Sequence, residues 1–120
     1  MPYRQTLLAL AASLAALANA DVLIDVRSAE EYAAGHLPPA VLLPVQNIAE
    51  QINTIVPDKN ETIYLYCRSG ARAENARQQL QQQGYTHIIN LGSFAAAKQW
   101  LAGNAAIAAA LRRIEQSNEK

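Results

Sequence analysis

The 120-residue sequence predicts an α/β fold, with a small parallel β-sheet flanked by helices on both faces. Short apolar runs typical of buried strands alternate along the chain with segments of helical composition. The segments between these runs are long enough for helical crossovers, which join parallel strands and lie against the faces of the sheet. Both observations favour this fold class over an all-α or all-β domain.

The strands are predicted from apolar runs bounded by turn residues. Four runs qualify, at residues 22–26, 41–43, 62–66 and 87–91. The helices are predicted from capping patterns and from Ala, Gln, Arg and Glu content. Ser28 with Glu31, and Asn47 with Glu50, have the spacing of a capping box, and Gly84 is well placed to end a helix. The predicted helices are 29–34, 48–55, 73–83, 94–101 and 104–116.

Length and composition are those of one globular domain. The chain is 51% hydrophobic and 17% charged, which suits one modest core. Its 10 Lys and Arg residues balance 10 Asp and Glu residues, so there is no net charge to attract nucleic acid or an anionic membrane. We therefore expect neither partner, and we expect a monomer.

The first 20 residues have the pattern of a secretory signal peptide. Arg4 supplies the positive charge, residues 6–17 form an apolar stretch too short to span a bilayer, and residues 18–20 form a small-residue cleavage site. Cleavage is predicted after Ala20, which leaves a single domain of residues 21–120 with no membrane association. An apolar N-terminal helix of the fold itself is the alternative, and the lack of a polar stripe disfavours it.

The only cysteine, Cys67, is the strongest candidate for a catalytic residue. It follows a predicted strand and precedes a basic loop and a helix, a setting that favours a thiolate. The backbone N–H groups of such a loop can form an anion-binding nest, and the helix N-terminus adds partial positive charge. We expect the substrate-binding loop to comprise Arg68, Ser69, Gly70, Ala71 and Arg72.

The rest of the sequence limits the chemistry of this thiolate. His36 and His87 lack partners at metal-ligand spacing, so no metal site is predicted, and no organic cofactor is expected. Asp25, Arg27 and Glu31 are predicted to form an ion-pair network. A thiolate in an anion-binding loop needs no general base if its substrate is an anion that donates sulfur, as thiosulfate does. The resulting persulfide on Cys67 would pass sulfur to cyanide or a thiol.

Several motifs resemble one known family, the rhodanese-type sulfurtransferases. They are Asp25-Val26-Arg27, residues 31–37, the loop from Cys67 to Arg72, Gly84-Tyr85, Leu91-Gly92 and Trp100. The loop is the specific element, because cysteine phosphatases place five residues rather than four between the cysteine and the arginine. Among family members, the chain is similar to periplasmic single-domain proteins of the phage-shock type.

This resemblance implies a rhodanese-like fold, thiosulfate sulfurtransferase activity, Cys67 as the persulfide carrier and a periplasmic location. It also associates the basic residue after the cysteine, Arg68, with thiosulfate as the donor. Two alternatives stay open at this point. The domain could be a persulfide carrier that delivers sulfur to a partner protein, or a thiol-redox protein, although a lone cysteine without a resolving partner disfavours the latter.

Overall fold

The computed structural model describes residues 21–112. Its strands are β1 (Asp21–Asp25), β2 (Val41–Leu42), β3 (Thr62–Cys67) and β4 (His87–Ser93). Its helices are α1 (Ala29–Ala34), α2 (Ile48–Ile55), α3 (Ala71–Gln82), α4 (Phe94–Gly103) and α5 (Ala105–Ala110). The strands form one parallel sheet of order β2-β1-β3-β4. The predicted α/β fold class is confirmed.

Each face of the sheet has its own apolar core, because successive strand residues point to opposite faces. On one face, strand residues such as Ile24 and Leu65 pack against the buried side of α2 and α3, including Ile52 and Leu80. The other face is built from the intervening residues and from parts of α4 and the chain beyond it. Its buried members are Leu23, Leu37, Ala40, Tyr64, Tyr66, Ala97 and Leu111. Helices therefore cover both faces, as predicted.

The cysteine loop is shorter than the sequence predicts. β3 continues to Cys67 rather than ending at residue 66, and α3 begins at Ala71 rather than at residue 73. Only residues 68–70 lie between them. Gly70 makes this tight connection possible, since its φ of +102° is a left-handed conformation that favours glycine.

Helix capping agrees with prediction at α1 and disagrees at α2. The Ser28 hydroxyl accepts a hydrogen bond from the Glu31 N–H, and the Glu31 carboxylate accepts one from the Ser28 N–H, which completes the predicted capping box. The predicted Asn47 cap is wrong, because its side chain makes no capping bond and its backbone is already helical, with φ −111° and ψ −5°. An extended backbone is needed for a side-chain cap.

The last part of the chain that the structure describes, residues 103–112, departs most from prediction. The break at residues 103–104 is present, but α5 ends at Ala110 instead of continuing to residue 116. Leu111 is extended and pairs in parallel with Asp21, and the Arg112 N–H donates to the Asp21 carbonyl at 2.8 Å. The Arg112 guanidinium forms an ion pair with Glu61 at 2.7 Å. The chain therefore leaves the helix and pairs alongside the amino end of β1.

Some predictions lie outside the described residues. These are the signal peptide of residues 1–20, its cleavage site after Ala20, and residues 113–116 of the predicted last helix. Within residues 21–112, no helix is both long enough and apolar enough to cross a membrane.

Candidate active site

The candidate site lies at the edge of the sheet where the parallel strands end. Ligand sites of open α/β sheets lie beyond this carboxyl edge. Cys67 is the last residue of β3, Arg27 comes two residues after the end of β1, and Phe94 directly follows β4. The topology therefore brings together a thiol, a guanidinium group and an aromatic ring that are distant in sequence.

The sulfur of Cys67 is held by backbone donors. The residue is fully buried, and its Sγ accepts hydrogen bonds from the Gly70 N–H at 2.8 Å and the Ala73 N–H at 3.4 Å. Ala73 belongs to the first turn of α3, whose N-terminus carries a partial positive charge. Both terms favour negative charge on the sulfur.

Two further donors of this turn are available. The first four N–H groups of a helix lack intrahelical acceptors. Here Ala73 donates to the sulfur and Glu74 donates to the Gly70 carbonyl at 3.0 Å. Among residues 21–112, no hydrogen bond uses the N–H groups of Ala71 and Arg72. These two N–H groups are therefore available to donate to an anionic group bound at Cys67.

Arg72 connects the loop to α1. Its guanidinium donates to both carboxylate oxygens of Glu31, at 2.9 and 3.0 Å. This contact, together with the Ser28 N–H, lowers the pKa of Glu31 to about 2, and the carboxylate in turn raises the pKa of Arg72. Arg72 therefore fixes the start of α3, and its charge is largely neutralised.

The predicted network of Asp25, Arg27 and Glu31 is correct only in part. Arg27 pairs with the fully buried Asp25, with Nη2 and Oδ2 2.7 Å apart, and this contact raises the pKa of Arg27. Glu31 pairs with Arg72 instead. The buried network is completed by Tyr66, whose hydroxyl donates to Asp25 at 2.8 Å and whose pKa is raised by burial.

Arg27 of this network also lines a cleft that includes Arg68 of the cysteine loop. The Arg27 guanidinium lies 4.9 Å from the centre of the Phe94 ring and 5.6 Å from that of Tyr66, within the range of cation–π contacts. The cleft has a volume of about 360 Å³ and is lined by Arg27, Glu31, Ala34, Gly35, Arg68 and Phe94. We call it the arginine cleft. Arg68 is exposed and forms no ion pair within residues 21–112, so its charge is available to a ligand.

A second cleft has a volume of about 390 Å³. Its lining is mainly uncharged, and it includes loop residues at the start of α3. The lining residues are Val45, Gln46, Ala71, Arg72, Asn75 and Gln79. The two clefts therefore differ in character, since the arginine cleft is cationic and this one contains three side-chain amides. Within residues 21–112, no group of three His, Cys, Asp or Glu side chains is arranged to hold a metal ion.

The remaining loop residues have structural roles, and the cleft contains residues that sequence reasoning missed. Ser69 pairs with Ser93 in an antiparallel bridge, and Gly70 provides the turn. The sequence predicts only an ion pair for Arg27 and only a helix for Phe94. Their positions just beyond the carboxyl ends of β1 and β4 are the available signal, because Cys67 ends β3 at the same edge of the sheet.

A buried cysteine sulfur with main-chain donors, next in sequence to a residue of a cationic cleft, suits nucleophilic attack on an anionic donor. The comparison of the sequence with known protein families agrees with this chemistry. The model of the rhodanese-like domain matches residues 10–99, so the chain belongs to the rhodanese-like domain family. The match begins upstream of Asp21 and overlaps the predicted signal peptide. The boundary of the domain at residue 21 therefore stays a prediction.

Individual relatives agree with this assignment. The thiosulfate sulfurtransferase PspE of Escherichia coli K12 is 42% identical over 69 residues, which are 58% of this chain and 66% of that protein. The putative sulfur carrier protein YrkF of Bacillus subtilis is 35% identical over 69 residues, which are 58% of this chain and 36% of that protein. A solved structure of a rhodanese with anions from E. coli has a TM-score of 0.62 and 38% identity, covering 63% of this chain and 89% of that one.

Proposed function

We propose that the chain is a thiosulfate sulfurtransferase in which Cys67 carries the sulfur as a persulfide. The observation that supports this most directly is the position of Sγ, 2.8 Å from the Gly70 N–H at the N-terminus of α3, in the residue that precedes Arg68 of the arginine cleft. We expect a single sulfur atom added to Cys67 to accept hydrogen bonds from the N–H groups of Ala71 and Arg72, which make no other hydrogen bond within residues 21–112.

The reaction has two balanced steps. The Cys67 thiolate attacks the outer sulfur of thiosulfate, a new S–S bond forms, and the bond between the two sulfurs of thiosulfate breaks. Sulfite leaves with the bonding electron pair, and the product is the Cys67 persulfide anion. Cyanide or a thiolate then attacks the outer sulfur of the persulfide and regenerates the Cys67 thiolate. Neither step requires a metal or organic cofactor, and the sequence is ping-pong.

Arg68 is the group we assign to the sulfonate end of thiosulfate. It lines the arginine cleft, and it has no carboxylate partner within residues 21–112, whereas Arg27 and Arg72 are both paired. We expect Arg68→Ala to raise KM for thiosulfate about 10- to 100-fold, since charge-assisted hydrogen bonds contribute roughly 1.5–3 kcal/mol. Lys98→Ala is the matched control, because Lys98 is an exposed cation of α4 outside the cleft. An unchanged KM in Arg68→Ala would remove this assignment.

The names of the relatives support two forms of this function. PspE is named a thiosulfate sulfurtransferase, which favours turnover of a small donor, and the anions named for the E. coli structure agree with an anion site. YrkF is named a putative sulfur carrier, which favours delivery of persulfide to a partner protein. Rates measured with cyanide, glutathione and a dithiol acceptor distinguish the two. Fast turnover with small acceptors indicates the enzyme, and slow turnover from a fully persulfidated protein indicates the carrier.

We also propose a periplasmic location and a monomeric state for the protein. A periplasmic sulfurtransferase, secreted through residues 1–20 and acting as a monomer, is consistent with the signal-peptide pattern of the sequence. N-terminal sequencing of the protein recovered from periplasmic extracts tests the cleavage after Ala20, and sedimentation analysis tests the monomer.

The central experiment is the intact mass of the protein after incubation with thiosulfate and again after addition of cyanide. The wild type is expected to gain one sulfur atom and then lose it. Cys67→Ser, which replaces a single atom at the buried position, is expected to gain none. No gain of sulfur in the reduced, folded wild type would contradict the proposed function and favour a redox or binding role.

A further inference from the structure

We propose that Asn90 is a positioning residue for sulfur transfer, because its side-chain amide holds Gly70 in the orientation that directs the Gly70 N–H at the sulfur of Cys67. Asn90 lies in β4 and is absent from the predicted site. It contacts neither the sulfur nor the arginine cleft, so it would act only through the backbone of the loop. The activity part of this inference rests on the proposed function.

An irregularity between β3 and β4 brings the two segments together. Leu65 is opposite Asn90, but Cys67 is opposite Ser93, so β4 has one more residue than β3 across this interval. Gly92 lies in the extra stretch with a φ of +95°. Bulges of this kind re-aim the chain next to functional sites. Here the bulge brings Gly92 against Gly70, where an added Cβ on Gly70 would lie only 3.4 Å from the Gly92 Cα.

The Asn90 amide connects both glycines. Its Oδ1 accepts a hydrogen bond from the Gly92 N–H at 2.8 Å, and its Nδ2 donates to the Gly70 carbonyl at 3.2 Å. The orientation of the amide follows from its partners, because a backbone N–H only donates and a carbonyl only accepts. Nδ2 also lies 3.5 Å from a carboxylate oxygen of Glu74.

These contacts hold the Gly70 residue at both ends. Its carbonyl accepts hydrogen bonds from Asn90 Nδ2 and from the Glu74 N–H, and its own N–H donates to Cys67 Sγ at 2.8 Å. Glycine has no side chain with which to restrict its own backbone, so neighbouring groups must fix this left-handed turn. Catalytic donors are effective when they are oriented before the charge develops. Asn90 supplies that orientation for the shortest hydrogen bond to the sulfur.

Two variants separate the functions of the amide. Asn90→Ala removes both contacts. Asn90→Asp is nearly isosteric and can still accept from Gly92, but it places an acceptor against the Gly70 carbonyl and a charge near Glu74. We expect both variants to form the persulfide roughly tenfold more slowly at saturating thiosulfate, with little change in KM. Loss of a catalytic donor itself lowers rates about 100- to 1,000-fold, and these variants misorient the Gly70 N–H without removing it.

Asn53→Ala is the matched control. The Asn53 side chain accepts a hydrogen bond from the Tyr85 hydroxyl at 2.8 Å, and within residues 21–112 neither residue lines one of the two clefts or forms a hydrogen bond with the cysteine loop. Its removal is expected to lower thermal stability to a similar extent and to leave the rate of persulfide formation unchanged. An equal rate loss in Asn53→Ala and Asn90→Ala would overturn the inference, because the effect would then be one of stability alone.

The Gly70 amide resonance gives a readout that does not depend on activity. In ¹H–¹⁵N spectra we expect both Asn90 variants to shift this resonance and to accelerate its solvent exchange, while Asn53→Ala leaves it in place. A rate loss with an unchanged Gly70 resonance would contradict positioning through Gly70. If the wild type formed no persulfide, the proposed function would fail, and the Gly70 resonance would still decide whether Asn90 orients the loop.

Discussion

Replacing Glu31 with glutamine is expected to test the ion pair that fixes the start of α3. Glu31 accepts two hydrogen bonds from Arg72 and one from the Ser28 N–H. Glutamine keeps an oxygen for the Ser28 N–H, since either Glu or Gln completes a capping box. Glu31→Gln therefore removes the charge of the pair and preserves the N-terminal cap of α1.

The size of the effect follows from the pKa of Glu31. A decrease from 4.5 to about 2 corresponds to about 3 kcal/mol if it is fully expressed in stability. The Glu31 and Arg72 side chains keep 26% and 38% of their surface exposed, so solvent screening reduces this to about 1 kcal/mol. Because the folded-state pKa is the lower one, this stabilisation is complete above about pH 5 and is lost as the pH falls toward 2.

Urea unfolding measures this difference directly. At pH 7, Glu31→Gln is expected to lower the free energy of unfolding by about 1 kcal/mol relative to the wild type, and at pH 3 the difference should fall to less than about half. Glu30→Gln is the control, because Glu30 is exposed in the same turn and makes no ion pair within residues 21–112. Equal stability of the two variants at pH 7, or a difference that persists at pH 3, would refute the reasoning.

Two further variants test contacts at opposite ends of β3. Tyr66→Phe removes the hydroxyl that donates to Asp25 and accepts from the buried Leu37 N–H, and we expect urea unfolding to show a loss of roughly 1–3 kcal/mol. No loss would mean that water replaces the hydroxyl. Arg112→Ala leaves the buried Glu61 carboxylate without its guanidinium partner, and we expect a similar loss of roughly 1–3 kcal/mol in thermal or urea unfolding. An unchanged unfolding midpoint would show that the ion pair between Arg112 and Glu61 does not stabilise the fold.

Local patterns were sufficient to predict the architecture. The alternation of apolar runs with capped helical segments specified the strands, because burial on both faces requires continuous apolar residues. The Ser28 capping box and the stop at Gly84 were local signals, and both appear in the structure, with a left-handed φ of +98° at Gly84. Asn47 shows the limit of such patterns, because a capping residue also needs an extended backbone.

The contacts that orient the candidate site could not be predicted in the same way. Arg72 and Glu31 are 41 residues apart, and Asn90 and Gly70 are 20 apart, so their pairing depends on how the strands are arranged in space. No spacing rule covers such pairs. The one local indication was the order Asn90-Leu91-Gly92, since Asn readily bonds to backbone two residues further on.

The pairing of Leu111 with Asp21 has a consequence for anything attached to this domain. Both residues lie at the amino end of β1, whereas Cys67 lies at the carboxyl end of β3, about 17 Å away along strands of five or six residues. An affinity tag, surface tether or fused domain joined at Asp21 would therefore leave the sulfur facing away from the attachment. The domain can be immobilised through this end with the exposed loop residues Arg68 and Ser69 left facing donors and acceptors in solution.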